Sequence, residues 1–134
     1  MSFLDVINPD ALGRPRGYSH GVLAPPGARV LFVAGQTAAD ADGRVANPDF
    51  VAQFDEVLRK VTAVVRAAGG HPDQIARMTV YVADMSGYLS SRPVLKEVWR
   101  ARMGNHYPAM ALVQVVRLVD RDATVEIEAT AVLS

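Results

Sequence analysis

Two carboxylates set into an apolar run are the first residues in this chain with chemistry to offer. The stretch TVEIEATAVLS, Thr124 to Ser134, reads as a β-strand. Alternate residues of a strand share a face, so Val125, Ile127, Ala129 and Ala131 point one way and Glu126, Glu128 and Thr130 the other. The two carboxyl groups then stand about 7 Å apart on one side. Such a row either forms a solvated outer face or places a general base beside a cleft. Ser19 and His20 are adjacent, but neighbours in a strand point to opposite faces, which excludes them as a nucleophile and its base. His20, His71 and His106 are scattered and there is no cysteine, so disulfides and thiolate nucleophiles are excluded and no metal site is expected. His106, next to Tyr107, has the chemistry of an acid near neutral pH or, more plainly, packs a loop. Met78, Met85, Met103, Tyr88 and Trp99 read as core or interface fillers, not as a cofactor box.

The balance of charge narrows the partners. Fourteen basic and fourteen acidic residues give zero formal charge, with no block of like sign, so neither nucleic acid nor an anionic membrane surface is an expected partner. The N-terminus lacks a basic segment followed by an apolar one, and no apolar run is long enough to span a bilayer, so a cytoplasmic location is expected. The 134 residues fit one domain, residues 1–134, and a chain of this size buries about two-thirds of its unfolded surface.

These residues need elements to hold them. YSHGVLA, Tyr18 to Ala24, and RVLFVAGQ read as two strands joined by a turn at Pro25-Pro26-Gly27. Asp42-Gly43 predicts another turn, with room for a small extra strand near Arg44 and Val45. Asn47-Pro48-Asp49 predicts a helix start capped by Asn47. Phe50, Phe54, Val57, Leu58, Val61, Val64 and Val65 then recur at helical spacing until Gly69-Gly70. A strand follows from about Ile75 to Ala83. A second helix is predicted over Ser86 to Met103 with Leu95, Val98 and Trp99 on one stripe, and Pro93 implies that it begins there or is kinked. Ala109 to Leu118 and Thr124 to Leu133 read as two more strands joined by the polar turn 119–122. The order is an α+β plan, a mixed sheet of about six strands with two helices on one face. LFVA, MTVYV and MALVQVV are apolar at consecutive positions, so both faces of the sheet require burial. Two helices cover one face, which predicts a homo-oligomer in which bare sheet faces meet.

Taken in order, GYSHG (17–21), VAGQTAAD (33–40), AAGG (67–70), TVYVADM (79–85), YPAMALVQV (107–115) and VEIEATAV (125–132) resemble the RidA/YjgF family, also labelled endoribonuclease L-PSP. The resemblance spans nearly the whole chain. It implies a chorismate-mutase-like α+β fold and a homotrimer whose sheets close around a central barrel, with clefts between subunits. The activity it implies is hydrolysis of a small reactive enamine or imine to a carbonyl compound and ammonia, without metal or organic cofactor. On that resemblance Glu126 is the water activator and Tyr18 the cleft tyrosine, while Ala34 and Gly35 take the place of a Ser-Gly pair that contributes backbone groups. Gly35 then either lets the chain approach a ligand closely or serves a strand end that needs positive φ. RNA cleavage, also ascribed to the family, draws no support from a chain without a basic patch.

One departure bears on the substrate. Where the deaminase branch carries an arginine that grips the substrate carboxylate, this chain has Met110, a thioether with almost no hydrogen bonding, beside Pro108 and Ala109. Arg92, where that branch often has an asparagine near the cleft, is the leading substitute anchor, with Arg14 and Arg16 after it. The substrate is therefore expected to differ from 2-aminoacrylate. The alternative is a non-catalytic trimer that binds a small metabolite or regulates a partner.

Overall fold

The computed structural model describes residues 3–134. It holds two helices and six strands in mixed sheets, the α+β class expected from the element order. Four strands form the main sheet: β3 (Arg29–Gln36), β4 (Ile75–Val82), β5 (Ala109–Gln114) and β6 (Val125–Leu133), in the order β3-β6-β4-β5. The strand β6 runs antiparallel to both β3 and β4, and β5 lies parallel to β4. The remaining two, β1 (Asp5–Ile7) and β2 (Gly21–Leu23), form a separate antiparallel ribbon, with a single parallel bridge from Ser19 to Ala109 beside the main sheet.

Helix α1 (Phe50–Ala67) and helix α2 (Met85–Met103) cover one face of that sheet. The apolar stripe of α1 meets alternate residues of the strands, so Val57, Leu58, Val61, Val65, Met78, Val80, Val125 and Ile127 are fully buried. Each such side chain contributes about 1.5–3 kcal/mol of burial free energy. The opposite face carries Arg77, Thr79, Tyr81, Glu126, Glu128 and Thr130, because residues one step along each strand point the other way. Val30, Phe32 and Val113 add an apolar component to it and are 54%, 79% and 42% exposed. The apolar run MTVYV is thus an alternation, with Tyr81 turned outward.

Several expected boundaries move, for identifiable reasons. The strand expected over Tyr18 to Ala24 shrinks to β2; Gly17 has φ 77° and Ser19 is drawn to β5 instead, its amide donating to Pro108 O at 3.0 Å. The Pro25-Pro26-Gly27 segment joins no hairpin, since β3 pairs with β6 rather than β2. No strand forms near Arg44 and Val45: Asp40 Oδ1 accepts from the amides of Asp42 and Arg44 at 2.9 and 3.0 Å, and this local turn displaces ladder bonding. The cap of α1 is Asp49, whose carboxylate accepts from Ala52 N at 2.9 Å, while Asn47 accepts from Asp49 N one step earlier. Pro93 neither starts nor interrupts α2, which runs from the Asp84 cap through it. The proline leaves only the Leu89 carbonyl without its helical donor, and Leu89 is half exposed, within reach of water. Finally, β5 ends at Gln114 and a loop over 115–124 carries the chain across β4 to β6, so the last two strands are not neighbours.

Candidate active site

The site is built outward from Glu126. Opposite it on β4 stands Tyr81, whose hydroxyl donates to Glu128. On the other side the ladder between β3 and β6 slips: Val33 pairs with Ala129 but Gln36 with Ile127, so β3 holds one residue more than its partner. This bulge at Ala34-Gly35 lifts their backbone out of the regular ladder on an edge strand, where the Ala34 carbonyl accepts from the Gln36 side-chain amide at 3.2 Å. The Glu126 carboxyl lies directly against Gly35; a Cβ there would run into Oε2 and stand 3.0 Å from Cδ. Gly35 is absent from the residues with positive φ. Positive φ is therefore not what requires this glycine, and the group packed against it is the Glu126 side chain.

The surroundings of Glu126 oppose its charge. Burial raises its carboxyl above the ordinary glutamate range, and the negative charges of Asp120 and Glu128 push it the same way. Asp120 comes from the 115–124 loop and is held by the Thr37 hydroxyl, which donates to it. Lys60 steadies the same corner by donating to the carbonyls of Thr37 and Ala39 at 2.7 and 3.0 Å. Gln53, 1% exposed, ties the far end of the loop to α1: its amide donates to Asn47 O and Asp122 O, and its carbonyl accepts from Thr124. Neither Asp120 nor Gln53 stood out in the sequence. A polar residue on the buried stripe of a helix was the only signal for Gln53, and Asp120 reaches Glu126 through a loop whose path periodicity cannot predict.

The other predicted site residues gather on the helix side of the sheet. Tyr18, Arg92 and Met110 line one cavity of about 670 Å³ between α2, β5 and the 14–18 loop, with Arg14 and Arg16 at its rim. Met110 and Leu112 sit beside Met78 and Val80 of β4, both of which face the helices. Residues that sequence reasoning did not assign to a site complete it, notably Lys96 and Tyr107. The spacing 92, 95, 96, 99 on one side of α2 carried that signal, since residues three and four apart in a helix share a face. Pro108 and Ala109 are not on the cavity wall. They lie behind it, Pro108 O accepting from Ser19 N and Ala109 bridging to Ser19, next to Tyr18 on the wall. His106 packs the loop: its Nε2 donates to Ile75 O at 2.6 Å and its carbonyl accepts from Trp99 Nε1. Ser19 and His20 bond to different partners, Tyr107 O and Gly13 O.

The predicted residues thus form two groups on opposite faces of one sheet. Glu126, Gly35 and Ala34 belong to the open face, and Met110, Arg92 and Tyr18 to the helix side. Among the described residues no cluster of acids and histidines could hold a metal ion, and no helix is long and apolar enough to cross a membrane.

An α+β sheet with paired helices on one face and a carboxylate set against a bulged edge strand on the other is an arrangement that comparison with known proteins places in a family. The chain belongs to the RidA/YjgF family, whose model, described as Endoribonuclease L-PSP, matches residues 9–133. A RutC family protein of Pyrococcus horikoshii is 33% identical across 95% of this chain and 96% of its own length. A 2-iminobutanoate/2-iminopropanoate deaminase of Capra hircus is 30% identical across 86% of this chain and 79% of that protein. Among solved structures, the Rid-family protein YyfB of Yersinia pestis superposes with a TM-score of 0.85 at 33% identity, covering 98% of this chain and 99% of that one.

Proposed function

We propose that this chain hydrolyses a small reactive enamine or imine to a carbonyl compound and ammonia, with Glu126 as the base that activates water. The observation that carries the reading is the setting of Glu126: a half-buried carboxyl, raised in pKa and pressed against a glycine at a strand bulge. A raised pKa makes a carboxylate a stronger base, better matched to water near neutral pH. The deaminase named among the relatives supports the same class of reaction. An enamine first takes a proton at carbon to become the imine. Glu126 takes a proton from water as the oxygen bonds to the imine carbon and passes it to the nitrogen, giving a neutral carbinolamine. Glu126 then takes the hydroxyl proton as the carbon–oxygen double bond forms and the C–N bond breaks, and hands that proton to the nitrogen, which leaves as ammonia. Backbone groups of the bulge at Ala34-Gly35 orient the reacting atoms, and the Tyr18 hydroxyl caps the opposite side. No cofactor has a role in these steps.

The reading requires two copies. The sheet separates Glu126 from the Met110 cavity within one chain, so a substrate touched by both lies between the open face of one subunit and the cavity of another. Exposed Phe32, Val30 and Val113 support such a contact, and the resemblance to the family makes the assembly a homotrimer with three equivalent clefts.

Ammonia release from freshly generated 2-iminopropanoate and from bulkier imines tests the proposal. The wild-type protein is expected to accelerate at least one of them, with the rate rising with pH as Glu126 loses its proton, and Glu126→Gln is expected to lose that acceleration. Equal rates for the two proteins would remove the catalytic reading and leave a metabolite-binding assembly in its place.

A further inference from the structure

We propose that the Met110 cavity selects carboxylates that carry an aromatic or similarly bulky apolar side chain, and that it holds the carboxylate at its rim instead of its floor. The inference rests on reading this cavity as the substrate half of the cleft and names the substrate class it takes.

Charge makes the first part of the case. Arg14, Arg16, Arg92 and Lys96 border the cavity, and no aspartate or glutamate lines it. The two side-chain ion pairs among the described residues, Arg59–Glu56 and Arg102–Asp55, involve none of the four. In a chain of zero formal charge a cluster of four cations without a counter-ion is a departure from the average surface. Arg92 and Lys96 stand one helical turn apart, a like-charge spacing that weakens a helix unless an anion lies between the two. An anion placed there gains from both cations.

The floor makes the second part. Phe54, Val80, Leu95, Trp99, Met110 and Leu112 line the cavity below the rim, and four of them are otherwise part of the buried core. About 670 Å³ is far more than a three-carbon imino acid fills, and it falls within the range of about 300–1,000 Å³ usual for larger organic ligands. A guanidinium at position 110 would draw a carboxylate down and leave the apolar floor facing a charged group. A thioether there does the reverse, because methionine sulfur packs well against aromatic rings. The ligand is thereby inverted relative to one anchored at the floor, its charge outward and its apolar body on Met110, Leu112 and Trp99.

The chain's single tryptophan, Trp99, lines this cavity, so its fluorescence reports occupancy. The experiment titrates Glu126→Gln protein, in which turnover plays no part, with 3-phenylpropanoate, propanoate and 3-phenylpropanamide, and repeats the titrations by calorimetry. The acid with the ring is expected to bind at least about tenfold more tightly than propanoate, since even one added methylene in an apolar pocket is worth that much. It should also bind more tightly than its neutral amide, and to perturb Trp99. Replacing both Arg92 and Lys96 by alanine, at exposed positions, should weaken the acid several-fold and leave the amide unchanged. Met110→Arg should shift the preference toward propanoate. Propanoate binding as tightly as the ring acid, or indifference to loss of the two cations, would overturn the inference. If the ranking holds while the wild-type protein releases no ammonia from any imine, the deaminase reading falls and this one stands. Ammonia release from small imines without any ring preference gives the opposite result.

Discussion

The two faces of the main sheet are made from the same four strands but solve different problems. On the helix side, alternate residues of β4 and β6 are buried without exception from Met78 to Val82 and from Val125 to Ala131, and polar groups enter only where every bond is met, as at Gln53. On the open side the same strands present Tyr81, Glu126 and Glu128 next to the largely exposed Phe32. Low dielectric on one side stabilises the fold. On the other side, partial burial near like charges is used against a carboxylate, raising its pKa at some cost in stability. The helix side thus stores the free energy that lets the open side keep an unfavourable charge.

Substitutions on the two faces should therefore differ in kind. Ile127→Ala, at a fully buried site on the central strand, should lower unfolding free energy by about 2–5 kcal/mol, measured by urea denaturation. Gln53→Leu leaves the groups it satisfies without partners and should cost about 1–3 kcal/mol for each donor or acceptor stranded in the interior; amide exchange should show the 115–124 loop opening before the rest. On the open face, Gly35→Ala should barely move the unfolding midpoint, because the atom it meets is the end of a flexible side chain. It should nevertheless reduce ammonia release by about a hundredfold by displacing the carboxylate. Phe32→Asp should likewise leave each subunit folded while shifting sedimentation toward the monomer.

The smallest effect has a sign worth stating. Glu126 has a higher pKa in the folded chain than in the unfolded one, so between those two values the folded state holds more protons and stability falls as pH rises. Glu126→Gln removes this term. The variant should melt slightly above the wild type at neutral pH, and the gap should close as pH falls through the ordinary glutamate range. A gap that widened toward acid pH would mean that Glu126 is stabilised as an anion, contrary to its surroundings.

Much of this contrast was legible in the residues. The alternation of TVEIEATAVLS assigns Glu126 to the face opposite Ile127 before any coordinates are known, and the stripe from Phe50 to Val65 sets the first helix. The family motifs carried Tyr18 and Met110 to positions that line one cavity. What stayed hidden came from competition between local and distant bonding. Asp49 displaced Asn47 as the cap because both can accept amide hydrogens and the helix starts from the later one. Pro93 does not mark the start of α2, since the cost of one missing bond is outweighed by the burial of Leu95, Trp99 and Met103 further along the helix. The division of site residues between the two faces could not be read at all, because it depends on which strands are neighbours, and β5 beside β4 places Met110 next to Met78.

The strand order carries a consequence for how the chain is assembled. The strand β6 separates β3 from β4, yet it is made after both, and its partners on β3 lie about a hundred positions back along the chain, the register running from Arg29 with Leu133 to Gln36 with Ile127. Until it inserts, β3 has no ladder at all, and Phe32 and Val33 wait with unsatisfied edges. Closure of such distant loops is slow, so a nascent or refolding chain passes through an interval in which a second copy's β6 can serve as well as its own. Refolding at high protein concentration should therefore divert material into strand-exchanged aggregates, and keeping the chain dilute until the last strand docks should recover it.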